Sequence, residues 1–199
     1  MLLILCNILN NLNLSKNEEY VVLRFVSWNA HHDVGQLGLD LDTKRDLIDL
    51  LRKRYKIFIS SEGELPEEFK EFQINISPDR MHDVLAFASI FIGESATMAS
   101  ESALLGTSAV YINSLPLMGY LKEEQNVGLL KHFPSSEGVF NYVENLINTA
   151  SLKLVSKERS LELQENFIDP TKFLVWLIEE YPKSVQILKN NPDYQLQFK

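Results

Sequence analysis

Two short stretches concentrate the side chains able to do chemistry. In Glu94-Ser95-Ala96-Thr97-Met98-Ala99-Ser100-Glu101, polar and small residues follow an apolar run that breaks at Gly93. Ser95 is suited to cap a helix, which leaves the backbone N–H groups of Ala96, Thr97 and Met98 at its first turn. Those donors and the helix dipole favour an anion such as phosphate, and Ala96 leaves room for close approach. Thr97 and Glu101 are four apart and share a face. A carboxylate one turn behind a phosphate is well placed to accept hydrogen bonds from a ribose diol. The plainer alternative makes Ser95 only a cap and Glu101 a solvated helix residue.

The second stretch is His31-His32-Asp33, inside the polar segment "SWNAHHDVGQLGLD". An imidazole there could bind phosphate or move a proton, since histidine titrates near neutral pH. The alternative is a polar loop in which Asp33 makes a turn. Adjacent ligands in one loop make a poor metal site and no HExxH spacing occurs, so no metal is expected. His82, His132 and Cys6 are read as structural. Neither GxGxxG nor GxxxxGK[ST] is present, which removes the usual signatures of dinucleotide and P-loop sites. No G-x-S-x-G elbow supports a serine triad.

The elements that must hold these stretches follow from the apolar patterning. "YVVLRFV" (20–26) and "KIFIS" (56–60) predict strands, "QINIS" (73–77) a shorter one, and 90–93 and the apolar run that begins after Gly106 and ends by Asn113 two more. "VGLLKHF" (127–133) predicts a weak strand. Leu47, Leu50 and Leu51 share a face of a helix over 42–55, and helices are predicted over 79–89 and from Ser95 to Gly106. Leu2, Leu5, Ile8, Leu9 and Leu12 repeat at helical spacing. Three helical segments, 135–149, 156–166 and 170–181, close the chain. The segment "SLPLMGYLKEEQ" reads as irregular and the tail "NNPDYQLQFK" lacks periodicity. Strands alternating with helices predict an α/β, Rossmann-like, doubly wound parallel sheet. Ligands of such sheets sit beyond the C-terminal strand ends, where both stretches fall.

The chain has 199 residues, 45% hydrophobic and 23% charged, with a formal net charge of -8. This composition suits a globular domain and argues against nucleic acid, which demands a basic field. One cysteine excludes a disulfide framework. The apolar start lacks a basic n-region and a cleavage site, and no stretch is long enough to span a bilayer. The protein therefore reads as soluble and cytoplasmic, without membrane insertion.

"RFVSWNAHHDVGQLG", "MHDVLAFASIFIGESATMASESALLGTSAVYIN" and "NNPDYQ" resemble the C-terminal half of the DUF354 proteins, from about Asn7 to the end. That family is related to UDP-N-acetylglucosamine 2-epimerase and GT-B glycosyltransferases. The resemblance implies the C-terminal, nucleotide-sugar-holding domain of a GT-B fold. "ESATMASE" is similar to the relatives' D-S-G-G-x-x-E-E turn, which places Ser95, Ala96 and Thr97 at phosphate and Glu101 at ribose. "HHDVG" resembles their H-R-R-E-N loop in position, bringing His31 or His32 towards the phosphates, with Asp33 beside them. Here Ala96 and Thr97 replace the glycines, and no arginines follow the histidines.

The implied domains are a linker helix (1–19), a nucleotide-sugar-binding domain (20–168) and a C-terminal helix and tail (169–199). The resemblance further implies a UDP-sugar as substrate without a cofactor, in cell-surface polysaccharide synthesis. The N-terminal domain of a GT-B enzyme is not represented. The expectation is therefore a truncated or split half, partnered by a separate N-terminal chain or a second copy and inactive alone. The competing readings are a non-catalytic nucleotide-sugar-binding module and a remnant that merely folds.

Overall fold

A computed structural model describes residues 2–27 and 38–199 of the chain. Five parallel strands form one sheet in the order β2-β1-β3-β4-β5: β1 Tyr20–Phe25, β2 Lys56–Ser61, β3 Ile90–Gly93, β4 Ser108–Ile112 and β5 Leu130–Phe133. The inner strands β1, β3 and β4 are largely apolar, β-branched or aromatic runs, as a sheet covered on both faces requires, while the edge strand β5 is half-buried and carries Lys131 and His132. Every residue of β3 and β4 is buried. The α/β, doubly wound class expected from the sequence is the observed one.

Right-handed crossovers divide the helices between the two faces. On one lie α2 (Leu41–Leu51) and α6 (Val139–Ile147), which touch each other. Leu47, Ile48 and Leu51 of α2, with Val139 and Val143 of α6, close over Val21, Leu23, Ile57, Ile90, Ile92 and Val110. The other face carries α1 (Leu2–Asn11), α3 (Met81–Phe87), α4 (Ala96–Leu104) and α5 (Gly119–Asn126), in contact in that order. There the buried Tyr20 hydroxyl donates to the Val84 carbonyl at 2.6 Å.

Helix α4 explains the run of small residues. Ala99, Ser100, Ser102 and Ala103 are all buried, and the helix lies against β3 and β4. Gly106, at φ 79°, ends it. The N–H groups of Gly106 and Thr107 return to the carbonyls of Ala103 and Ser102 at 3.0 and 2.8 Å, a Schellman arrangement that needs a left-handed residue. At the N-terminal end of β4, away from the strand ends that bind ligands, Thr107 and Lys153 tie the chain to the carbonyls of Leu85 and Ala86.

Three sequence expectations change. Gln73–Ser77 is not a strand: only Gln73 bridges to Ile59, after which the chain leaves the sheet edge. The segment read as irregular contains α5, and β5 accordingly starts late, at Leu130. The aperiodic tail holds a 3-10 turn, and a helix that the sequence reading did not name ends at its first residue, Asn190. The chain divides into two compact units, Met1–Ser160 and Leu161–Lys199, with α7 (Leu152–Glu165) running across the division. In the second unit α8 (Pro170–Glu179) is capped by Asp169, which accepts from Thr171 and Lys172 N–H at 3.0 Å. Next come α9 (Lys183–Asn190) and a 3-10 turn over Pro192–Phe198. Phe173, Trp176, Tyr194 and Phe198 form a ring cluster in this unit. No described helix is long and apolar enough to cross a membrane.

One buried acid makes a pH prediction. Glu124 of α5 is 2% exposed; its Oε1 accepts from the Ser100 hydroxyl at 2.5 Å, and its Oε2 is buried without a hydrogen bond among the described residues. Burial pushes the carboxyl above its ordinary range, against a smaller downward pull from Ser100. The folded chain thus holds this proton to higher pH than the unfolded chain. That contributes stability below the unfolded carboxyl range, and it is lost as pH rises through the folded value. Glu124→Gln keeps an acceptor for Ser100 and removes the charge. Uncompensated burial of a polar group costs ~1–3 kcal/mol, so the variant is expected to melt several degrees higher at about pH 8. The gain should shrink towards about pH 4, where glutamate is itself protonated. Melting curves at both pH values check this, and equal melting at the higher pH would contradict it.

Candidate functional site

The strand order reverses at β1 and β3: the crossover from β1 runs to β2 on one side, and that from β3 to β4 on the other. This leaves a crevice at the C-terminal ends of β1 and β3, where open α/β sheets bind ligands. The turn Gly93-Glu94-Ser95 lies there. Gly93 is required by close approach: a Cβ on it would lie 2.7 Å from the Arg24 Cβ and 2.8 Å from the Arg24 carbonyl.

Glu94 holds the crevice together. It is 2% exposed. Its Oε2 accepts from Val26 N–H at 2.9 Å and its Oε1 from Leu39 N–H at 2.8 Å. The Lys44 ammonium lies 3.4 Å from Oε1 and 4.4 Å over the Phe25 ring. One carboxylate therefore grips the chain where it leaves β1 and again just before α2. The turn is fixed on its other sides by Glu94 N–H donating to the Arg24 carbonyl at 3.0 Å and Asn113 Nδ2 donating to the Glu94 carbonyl at 3.5 Å. Asn113 is set in turn by Leu115 N–H on its Oδ1 at 2.8 Å and by the His132 ring on its carbonyl at 2.7 Å.

Ser95 caps α4, its hydroxyl accepting from Met98 N–H at 3.4 Å, a long bond. Ser95 and Ala96 are half-buried and Thr97 is exposed. All three line a cleft of about 550 Å³, together with Glu94 and Glu62. Tyr111 of β4 and the segment after it supply a more apolar wall, with Leu115, Pro116, Met118 and Tyr120. No lysine or arginine lines the cleft among the described residues. Attraction for an anion there rests on the first-turn N–H groups, the hydroxyls and the helix dipole.

Of the residues singled out in the sequence, Ser95, Ala96 and Thr97 are brought together on this cleft. Glu101 is not among its lining; it lies 3.3 Å from the His82 ring of α3, with its side chain 34% exposed. His31, His32 and Asp33 fall outside the described residues. No group of His, Cys, Asp and Glu suited to a metal occurs among those described. Sequence reasoning missed Glu94, Lys44 and Glu62. The one signal for Glu94 was an acid directly following a buried strand that ends in glycine.

No protein-family model matches the chain, and no curated protein matches it in sequence. Solved structures do. The H444N variant of the wall teichoic acid polymerase TagF matches with a TM-score of 0.52 at 14% identity over 82% of this chain, and the polymerase itself with 0.51 at 16% over 81%. A Listeria monocytogenes protein bearing the name UDP-N-acetylglucosamine 2-epimerase matches with 0.50 at 12% over 76%. At such identities the likeness shows the fold, the Rossmann-like α/β fold found in GT-B glycosyltransferases. The chain spans about two fifths of the length of these structures (42, 41 and 42%).

Proposed function

We propose that the chain is the nucleotide-sugar-binding half, of DUF354 type and C-terminal in position, of a GT-B glycosyltransferase or sugar-nucleotide epimerase of cell-surface polysaccharide synthesis. The observation that carries this reading is the cleft at the strand-order reversal. It combines a capped helix N-terminus with an aromatic and apolar wall from β4 and the segment after it. A diphosphate suits the first, and the flat base of a nucleotide suits the second. The sequence resemblance and the named fold relatives point the same way.

A thermal-shift series tests it. UDP or a UDP-sugar is expected to raise the melting temperature, whereas NAD and ATP are not. Ligand at ~100 Kd adds about 2.7 kcal/mol, or roughly 5–10 °C for a chain of this size. A flat response to millimolar UDP compounds would end the proposal. In the same series Glu101→Ala decides whether that carboxylate reaches the ribose, by weakening binding about 10- to 100-fold or leaving it unchanged. A two-domain cleft enzyme positions its reactants between two walls. The isolated chain is accordingly expected to bind without turnover until a separate N-terminal chain or a second copy supplies the other wall.

A further inference from the structure

Glu62 follows β2 and lines the same cleft, yet it differs from Glu94 in how its oxygens are used. The acceptors of Glu94 are consumed inside the fold. Glu62 has its side chain 45% exposed, with Oε1 held by Arg24 Nη2 at 2.6 Å and Oε2 only 3.5 Å from Ser27 N–H. Arg24 is itself fixed: its Nη1 donates to the Ser60 hydroxyl at 2.8 Å, its side chain is 17% exposed, and its Nε is buried without a hydrogen bond to the described residues. An ion pair this exposed on its carboxylate side adds little stability, so a guanidinium buried to hold it serves the carboxylate's position instead. The burial keeps the carboxylate in one orientation at the cleft while leaving a further lone pair on each oxygen for a ligand.

The strand order then sets the distances. Adjacent strands are ~4.8 Å apart, so the end of β2 lies about 10 Å from the end of β3, and the end of β4 about 5 Å on the other side. A ligand whose phosphate rests on the Ser95 turn reaches the apolar wall after β4 with one end. Its other end reaches Glu62. An acceptor-only carboxylate cannot receive a further phosphate, but it can receive O–H groups.

We propose that Glu62 is a specificity residue that accepts hydrogen bonds from the hydroxyls of a neutral, polyhydroxylated group carried on the distal phosphate. This rests on the nucleotide-sugar reading and narrows it: the cleft prefers a sugar-bearing diphosphate to the bare nucleoside diphosphate.

Titration calorimetry of the wild type, Glu62→Gln and Glu62→Ala with UDP, UDP-glucose and UDP-N-acetylglucosamine tests it. The wild type should bind at least one of the two sugar nucleotides more tightly than UDP, and both variants should narrow that gap about 10- to 100-fold. UDP affinity should hold or rise, because a negative charge leaves the cleft. Glutamine keeps an acceptor for Arg24, so it guards against loss of the fold. A merely structural Glu62 would weaken UDP and the sugar nucleotides together, leaving their ratio intact and overturning the inference. An unchanged profile in both variants overturns it equally. Wild type that binds UDP but prefers neither sugar nucleotide sinks this inference alone. Wild type that binds none of the three sinks the nucleotide-sugar reading and this inference with it.

Discussion

Glu94→Ala is expected to destabilise the protein by about 3–5 kcal/mol, a large part of the ~5–15 kcal/mol that holds a domain folded. The substitution removes three partners at once. Val26 and Leu39 N–H lose acceptors at 2.9 and 2.8 Å, and the Lys44 ammonium, 16% exposed, loses its counter-charge at 3.4 Å. Each stranded N–H costs ~1–3 kcal/mol if water cannot reach it. Removing one member of a buried ion pair is worse than removing both, because the survivor stays buried and charged. Two further variants separate these causes. Glu94→Gln keeps one acceptor oxygen and should lose roughly half as much. Lys44→Met leaves both backbone bonds in place but strips Glu94, the more buried member, of its counter-charge, so its loss isolates the share owed to the ion pair. Urea unfolding followed by circular dichroism gives the three values, and a Glu94→Ala loss below about 1 kcal/mol would show that the carboxylate does not hold the crevice.

That result would also measure what the sequence conceals. The sheet was legible because its inner strands β1, β3 and β4 are short, buried, largely apolar runs, and apolar runs separated by helical periods leave little but a parallel sheet. Where burial is incomplete the reading failed. Gln73–Ser77 alternates as a strand should, but only Ile74 and Ile76 are half-buried, and a single bridge at Gln73 is all the edge of β2 accepts. Helix α5 has one apolar anchor, Leu121, and a second buried residue that is an acid, Glu124; the Ser100 hydroxyl that receives it sits 24 residues earlier. Polar and proline-flanked, the segment gives no period to read.

The candidate site divides the same way. Capping by Ser95 is local chemistry, settled within three residues, and it was visible. Glu94 is linked to Val26 and Leu39 across 68 and 55 residues, and Arg24 to Glu62 across 38. Such pairs depend on which strands become neighbours, and only the β2-β1-β3-β4-β5 order brings them together. Glu101 shows the converse: its spacing from Thr97 suggested a shared task, while the fold sets it beside His82.

A charge placed at Thr97 separates capping from ligand binding most sharply. Thr97 is exposed, in the first turn of α4 and on the cleft, so a longer side chain there meets no core. Glutamate in a first turn favours the helix dipole by ~0.3–1 kcal/mol, so Thr97→Glu should leave the fold as stable as wild type or slightly more so. For a diphosphate the effect reverses. The new carboxylate competes for the same N–H groups and repels the ligand from a few ångströms away, where like charges near a surface cost ~4 kcal/mol. UDP affinity should therefore fall by more than about 100-fold. Thr97→Lys inverts both signs, giving tighter UDP binding that fades as salt is raised and a slightly weaker helix. Calorimetry at two ionic strengths, beside melting curves, reads all four effects. If Ser95 only caps and no anion binds, the two variants will differ in melting temperature alone, and UDP will not distinguish them.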